Sequence, residues 1–232
     1  MFKFTTSLSA TSLARKTFTT VFVLLAISLT AQRKYHFNYH SVYETSDKAT
    51  AATSAETWVY DNSADPSYLL ILYPNEARIK DERTDELHYF KIINEQDSIH
   101  YQYDYSLKIN FATPFKMNSI QVKRFTDVDY EISYIKKNEK AELNEKIQLC
   151  LQDSEDDLLY STVSGQNNGE MKVLLDRLKS QLPAGRKFYI ADLAHHSGRY
   201  TRHYRRTSIR PVELMLTVPE KVVYKNSFLK KK

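Results

Sequence analysis

From Ile99 to Phe111 apolar and polar residues alternate without a break. Ile99, Tyr101, Tyr103, Tyr105, Leu107, Ile109 and Phe111 form one series; His100, Gln102, Asp104, Ser106, Lys108 and Asn110 form the other. Successive side chains of a strand point to opposite faces, whereas a helix would scatter these positions around its circumference. The segment therefore reads as a long strand with one apolar face. The pattern recurs at Val128, Tyr130, Ile132 and Tyr134, and at Tyr35, Phe37, Tyr39 and Tyr43. Tyrosine is abundant, at 17 residues, and glycine scarce, at four. Aromatic richness favours strands, and turns in a chain so poor in glycine must rely on Asn, Asp and Pro.

Those turn residues punctuate the chain. The run Asp61-Asn62-Ser63-Ala64-Asp65-Pro66 separates a strand near Thr57–Tyr60 from one near Tyr68–Tyr73. Tyr73-Pro74-Asn75 and Lys80–Asp85 bracket a short strand around Ala77–Ile79, and Asn94–Asp97 ends one that begins near Leu87. Consecutive antiparallel hairpins follow from these spacings. One segment breaks the pattern: across Glu170–Leu182, Met171, Val173, Leu174, Leu175, Leu178 and Leu182 have helical spacing, ended by Pro183-Ala184-Gly185. Strands resume at Lys187–Leu193, Tyr200–Ile209 and Val212–Val218. The expected class is mainly β (all-β or α+β): a curved antiparallel sheet or open half-barrel of about ten strands, with one packed helix near 169–182. A single helix cannot cover so many one-sided strands, so the sheet must curve.

The first 31 residues have the order of a secretory signal peptide. Lys3, Arg15 and Lys16 precede the apolar run Val21–Leu29, and small residues follow at Ser28, Thr30 and Ala31. The run is shorter than the ~20 residues of a stable membrane-spanning helix. The expected organisation is a signal peptide at 1–31 cleaved after Ala31, a single β-rich domain at 32–226 and a basic tail at 227–232. The mature chain would be exported, periplasmic or extracellular, with no transmembrane span. Without the leader, 30 basic residues stand against 28 acidic ones, which removes the global charge argument for nucleic acid. A lone cysteine, Cys150, makes no disulfide within the chain. It alternates with Ile147, Leu149 and Leu151 and reads as a small half-buried thiol.

Leader, consecutive antiparallel strands, one-sided Tyr-rich faces and a helix followed by closing strands together resemble exported proteins of the LolA-like half-barrel fold. Thr57-Trp58-Val59-Tyr60, Ile79-Lys80-Asp81 and His88-Tyr89-Phe90 are similar in rhythm to the early strands of that class. The GLPGLI hexapeptide of a related group is absent. The resemblance implies a lipid or other apolar ligand in a concave face, and no chemistry.

Two residue sets are candidates for binding. Tyr101, Tyr103, Tyr105, Tyr130 and Tyr134 offer rings and hydroxyls to an amphipathic ligand, with ordinary core as the plain alternative. Arg199, Arg202, Arg205, Arg206 and Arg210 lie in a stretch from His195 to Arg210 that holds no acid. They suit an anion, because a guanidinium donates two parallel hydrogen bonds. The alternative is an outward edge strand guarded by charge, or neutralisation by the acidic run Asp153–Asp157. His195, His196 and His203 lack metal-ligand spacing, and His36 and His40 stand too far apart along a strand for one ion. No nucleophile elbow, phosphate loop or dinucleotide fingerprint occurs. No catalytic residue, metal or cofactor is expected. The function expected is non-catalytic binding of a lipid-like molecule in the cell envelope. The alternatives are a structural or protein-interaction protein with a solid core and, behind these, an outer-membrane barrel or an unrecognised hydrolase. The partners expected are an amphipathic small molecule or an envelope protein, and not nucleic acid.

Overall fold

The computed structural model describes residues 32–47, 55–96, 98–109, 116–137, 142–162 and 168–225. The expected signal peptide at 1–31 and basic tail at 227–232 lie outside these residues. Eleven strands form one antiparallel sheet: β1 (Arg33–Asp47), β2 (Ala55–Asp61), β3 (Tyr68–Leu72), β4 (Glu76–Asp81), β5 (Glu86–Glu95), β6 (Ser98–Lys108), β7 (Lys116–Arg124), β8 (Asp129–Lys137), β9 (Glu142–Asp153), β10 (Phe188–Ser197) and β11 (Tyr200–Val218). The helix α1 (Asn168–Lys179) stands between β9 and β10. The strand order is β6-β5-β4-β3-β2-β1-β11-β10-β9-β8-β7, an open curved sheet with β6 and β7 at its edges. Each half is a meander, and the two halves join where β1 pairs with β11. The expected class is thus observed.

The two halves bury opposite faces. Residues paired across strands share a face. One row runs Tyr105, Tyr89, Arg78, Ile71, Val59 and Ser41. On β1 it continues through Tyr43 and Thr45, which pair with Arg206 and Tyr204, and then to Leu193, Leu149 and Tyr130. In β8–β11 this face is buried under α1: Met171, Leu174, Leu175 and Leu178 pack on Tyr130, Ile132, Ile147, Leu149 and Leu193. In β3–β6 the opposite row is buried, through Leu70, Ala77, Ile79 and Phe90. It is covered by Tyr35 and Phe37 at the start of β1, Leu216 and Val218 at the end of β11, and Val222. So the helix need not cover the whole sheet; the two ends of the domain cover the other half.

Two local features depart from the sequence reading. The alternation of residues 99–111 is interrupted, because Tyr89 pairs with Tyr105 but Phe90 pairs with Tyr103. Asp104 is the extra residue of a bulge, and it puts Tyr103 and Tyr105 on opposite faces. The strands expected at Tyr200–Ile209 and Val212–Val218 are one, continuous through Pro211. Proline removes a ladder donor, but β10 pairs with β11 only as far as Arg205, and a register shift adjoins Pro211.

Candidate functional site

A cleft of about 440 Å³ opens where α1 meets the first half of the sheet. One wall is Pro66, Ser67 and Leu69, with Glu82 just beyond β4; the other is Met171, Lys172 and Leu175 of α1; Tyr160 and Thr162 close the end. Leu69 belongs to a small buried cluster with Tyr43 and Val59 on the helix-side face. Apolar floor and charged rim meet here. Lys172 donates to Asp176 at 2.8 Å, and its ammonium lies 5.7 Å from the Tyr160 ring centroid. Glu82 stands 3.5 Å from Lys80. Burial pushes the Glu82 carboxyl up and the Lys80 ammonium down, and their mutual attraction only partly offsets this.

Behind the Leu69–Thr162 wall lies a buried polar group of residues. Arg206 is 7% exposed and Asp61 4%. The Arg206 guanidinium packs on the rings of Tyr43 and Tyr189, at 4.8 and 5.2 Å. Its Nη2 donates to the Tyr43 hydroxyl and to the Ser161 carbonyl. Tyr43 in turn donates to the same carbonyl at 3.0 Å. Burial pushes the Tyr43 phenol up to about 12, against the pull of Arg206. Burial also pushes the Asp61 carboxyl up, again opposed by Arg206.

The five arginines do not converge. Arg206 is buried as described. Arg205 pairs with Asp192 at 3.1 Å, Arg202 lies 3.7 Å from Asp47, and Arg210 donates to His40 Nδ1 at 3.2 Å. Arg199 is exposed in the turn before β11. Up to Arg205 their strand is no edge, since β11 lies between β1 and β10; Arg206 and Arg210 lie beyond that pairing, where β11 is bonded to β1 alone. The acidic run is engaged elsewhere: Asp153 with Arg186, Asp156 with Tyr39, and Asp157 with Lys179.

The tyrosines also part. Tyr130 and Tyr134 are 1% and 2% exposed, in the core under α1. Tyr103 packs edge-on against Phe90 in the other core. Tyr105 stacks on Tyr89 at 4.4 Å, with the Lys225 ammonium 3.5 Å from its centroid. Tyr101 lines a recess, about 380 Å³, with Trp58, Leu72, Tyr73, Ile92 and Ile99; Tyr130 and Tyr134 each border another, beside Cys150 and Glu145 respectively. Cys150 is half-buried, and burial beside Asp129 and Asp192 raises its thiol.

The cleft residues drew no attention in the sequence. The available signal was the unbroken apolar run Tyr68–Leu72, where Tyr68, Leu69 and Leu70 are all buried. A strand apolar on both sides has both sides covered; α1 covers one of them.

No protein-family model matches the chain, and no curated protein matches it. Among solved structures, a LolA superfamily protein from Nitrosomonas europaea matches with 6% sequence identity, across 77% of this chain and 87% of that one, at a TM-score of 0.30.

Proposed function

We propose that the chain is an exported, non-catalytic binding protein for an apolar or amphipathic, lipid-like molecule, held in the cleft between α1 and the β3–β4 hairpin. The cleft carries this reading: its volume falls in the ~300–1,000 Å³ range of small-molecule sites, and such sites join apolar walls to a few polar groups. Leu69, Met171 and Leu175 supply the walls, Glu82 and Lys172 the charged rim. Export rests on the leader at 1–31. Among the described residues no helix is long and apolar enough to cross a membrane.

Native mass spectrometry with solvent extraction, on mature protein purified gently from an envelope fraction, tests the proposal. A stoichiometric co-purified lipid-like molecule is expected. An apo mass, with no uptake of added long-chain alcohol, fatty acid or phospholipid, overturns it.

A second reading, a docking surface for another protein, is favoured by the Tyr101 recess, where Trp58 is 46% and Ile99 58% exposed. Exposed apolar patches of this kind mark interaction sites. Cross-linking in the envelope fraction, lost on Trp58→Ser, supports it; an unchanged pattern removes it.

A further inference from the structure

The Tyr101 recess lies on the face of the first half-sheet opposite to the cleft. Trp58 pairs with Leu72 and Ile92 with Tyr101, so these four share a face. Leu72, Ile92 and Tyr101 pack on the core around Leu70 and Phe90 and form an apolar floor, over which Trp58 stands half-exposed. Among the described residues lining the recess Glu56 is the one charged group, and none is basic. The cleft, by contrast, carries both signs of charge, at Glu82 and Lys172.

Glu56 does not stand alone. It pairs with Glu44 across β1 and β2, two residues from Trp58 on the same face. Like charges directly opposite each other in a sheet destabilise it. Among the described residues no Lys or Arg nitrogen lies within the 4.0 Å ion-pair distance of either carboxylate. Arg205 faces Glu44 from β11 but bonds Asp192 at 3.1 Å. The Trp58 indole N–H donates to Glu56 at 3.4 Å, which brings ring and carboxylate together. A neighbouring ring shows what such a pairing holds. The Arg78 guanidinium lies 4.2 Å from the Tyr73 ring centroid and donates to Glu76 at 2.7 Å.

We infer that the recess binds a small organic cation, an alkylammonium whose apolar body lies on Leu72 and Ile92 and whose charge lies against the Trp58 ring and the Glu56 carboxylate. Aromatic faces attract cations, tryptophan most strongly, and a neighbouring carboxylate adds charge attraction. An anion meets Glu44, Glu56 and the negative ring faces. A neutral molecule gains only the burial of its apolar surface. The volume of about 380 Å³ is in the range of small-molecule sites. The site is separate from the cleft, and the inference stands or falls without it.

Trp58 is the sole tryptophan of the chain, so its fluorescence reports on the recess directly. The test is titration of the purified protein at pH 8 and constant ionic strength with choline, with 3,3-dimethyl-1-butanol, which has the same shape without the charge, and with 3,3-dimethylbutanoate. Choline is expected to shift the emission saturably and at least about tenfold more tightly than the alcohol, with the carboxylate weakest. Glu56→Gln, at an exposed position, should weaken choline at least about threefold and leave the alcohol unchanged. Equal binding of choline and the alcohol, or tighter binding of the carboxylate, overturns the inference. A flat response to all three also overturns it, and cross-linking lost on Trp58→Ser would then give the recess to a protein partner.

Discussion

The Tyr35 phenol and the His88 imidazole stand 3.0 Å apart inside the first half of the sheet, both fully buried. Tyr35 donates to Asp81 Oδ2 at 2.7 Å, so its oxygen accepts from His88 Nε2–H. His88 Nδ1 then accepts from the Ser106 hydroxyl at 2.6 Å, and Ser106 accepts from Tyr103 at 2.9 Å. The chain of donors runs one way, Tyr103 to Ser106 to His88 to Tyr35 to Asp81, and requires a neutral imidazole.

That requirement makes the fold acid-sensitive well above the carboxylate range. Burial lowers His88 to about 4, against the attraction of Glu86. The unfolded chain takes up this proton near pH 6.5 and the folded one near 4, so stability is complete above 6.5 and declines as pH falls between the two. Denaturant unfolding at pH 7.5 and pH 5 should differ by about 2 kcal/mol, with proton uptake on unfolding at pH 5. An unchanged midpoint over that interval contradicts the neutral-imidazole assignment.

Below pH 4.5 carboxylates take over. Burial would raise Glu86, but hydrogen bonds from Arg33, Tyr224 and Lys108 outweigh it and hold the group at about 2. Glu145 is held at about 2 in the same way, by His195 and Tyr134. Tyr134 donates to it at 2.6 Å and Ser197 at 3.1 Å. Both depressed groups contribute stability above 4.5 that is lost toward pH 2. Glu145→Gln should cost about 1–3 kcal/mol at pH 7 and flatten this acid limb, as read by urea unfolding. A variant as stable as the parent at pH 7 would show that the Glu145 bonds add nothing.

The edge of β6 is partly closed by the segment after β11. Ser106 N–H donates to the Val223 carbonyl at 2.8 Å, and Lys225 N–H to the Ser106 carbonyl at 3.1 Å. Tyr224 donates to buried Glu86. Truncation after Lys221 exposes this part of the edge, and open edges pair with other chains. Light scattering should show concentration-dependent association of the truncated chain and none for Tyr224→Phe, which keeps the backbone pairing. A truncated chain that stays monomeric contradicts a guarding role.

Packing of α1 on β8–β10 separates its two faces energetically. Leu174 is fully buried while Val173 beside it is 46% exposed. Leu174→Ala should cost about 2–5 kcal/mol, and Val173→Ala within about 0.5 kcal/mol of nothing. Equal effects in thermal unfolding would mean that the helix does not cover this half of the sheet.

Strands, helix and class were legible because period-two alternation and helical spacing are local signals. The bulge at Asp104 was not, because a bulge is defined by the partner strand; Tyr101, Tyr103 and Tyr105 look alike until β5 is laid beside them. The run of arginines gave the same difficulty. Charge along the chain suggested an exposed edge, but as far as Arg205 β11 lies inside the sheet, and Arg206 turns inward where Tyr43 and Ser161 receive it. The cleft was illegible for a related reason: Leu69 and Leu175 are 106 residues apart in sequence, and each alone reads as core.

The helix–sheet cleft as the ligand site is tested most directly by filling it. Titration of N-phenyl-1-naphthylamine into the parent protein, a Ser67→Trp variant and an Ile99→Ser variant compares the cleft with the Tyr101 recess. Saturable 1:1 binding is expected for the parent and for Ile99→Ser, weakened at least about tenfold, or ~1.4 kcal/mol, in Ser67→Trp. Undiminished binding to a folded Ser67→Trp variant, or loss only in Ile99→Ser, would contradict the assignment.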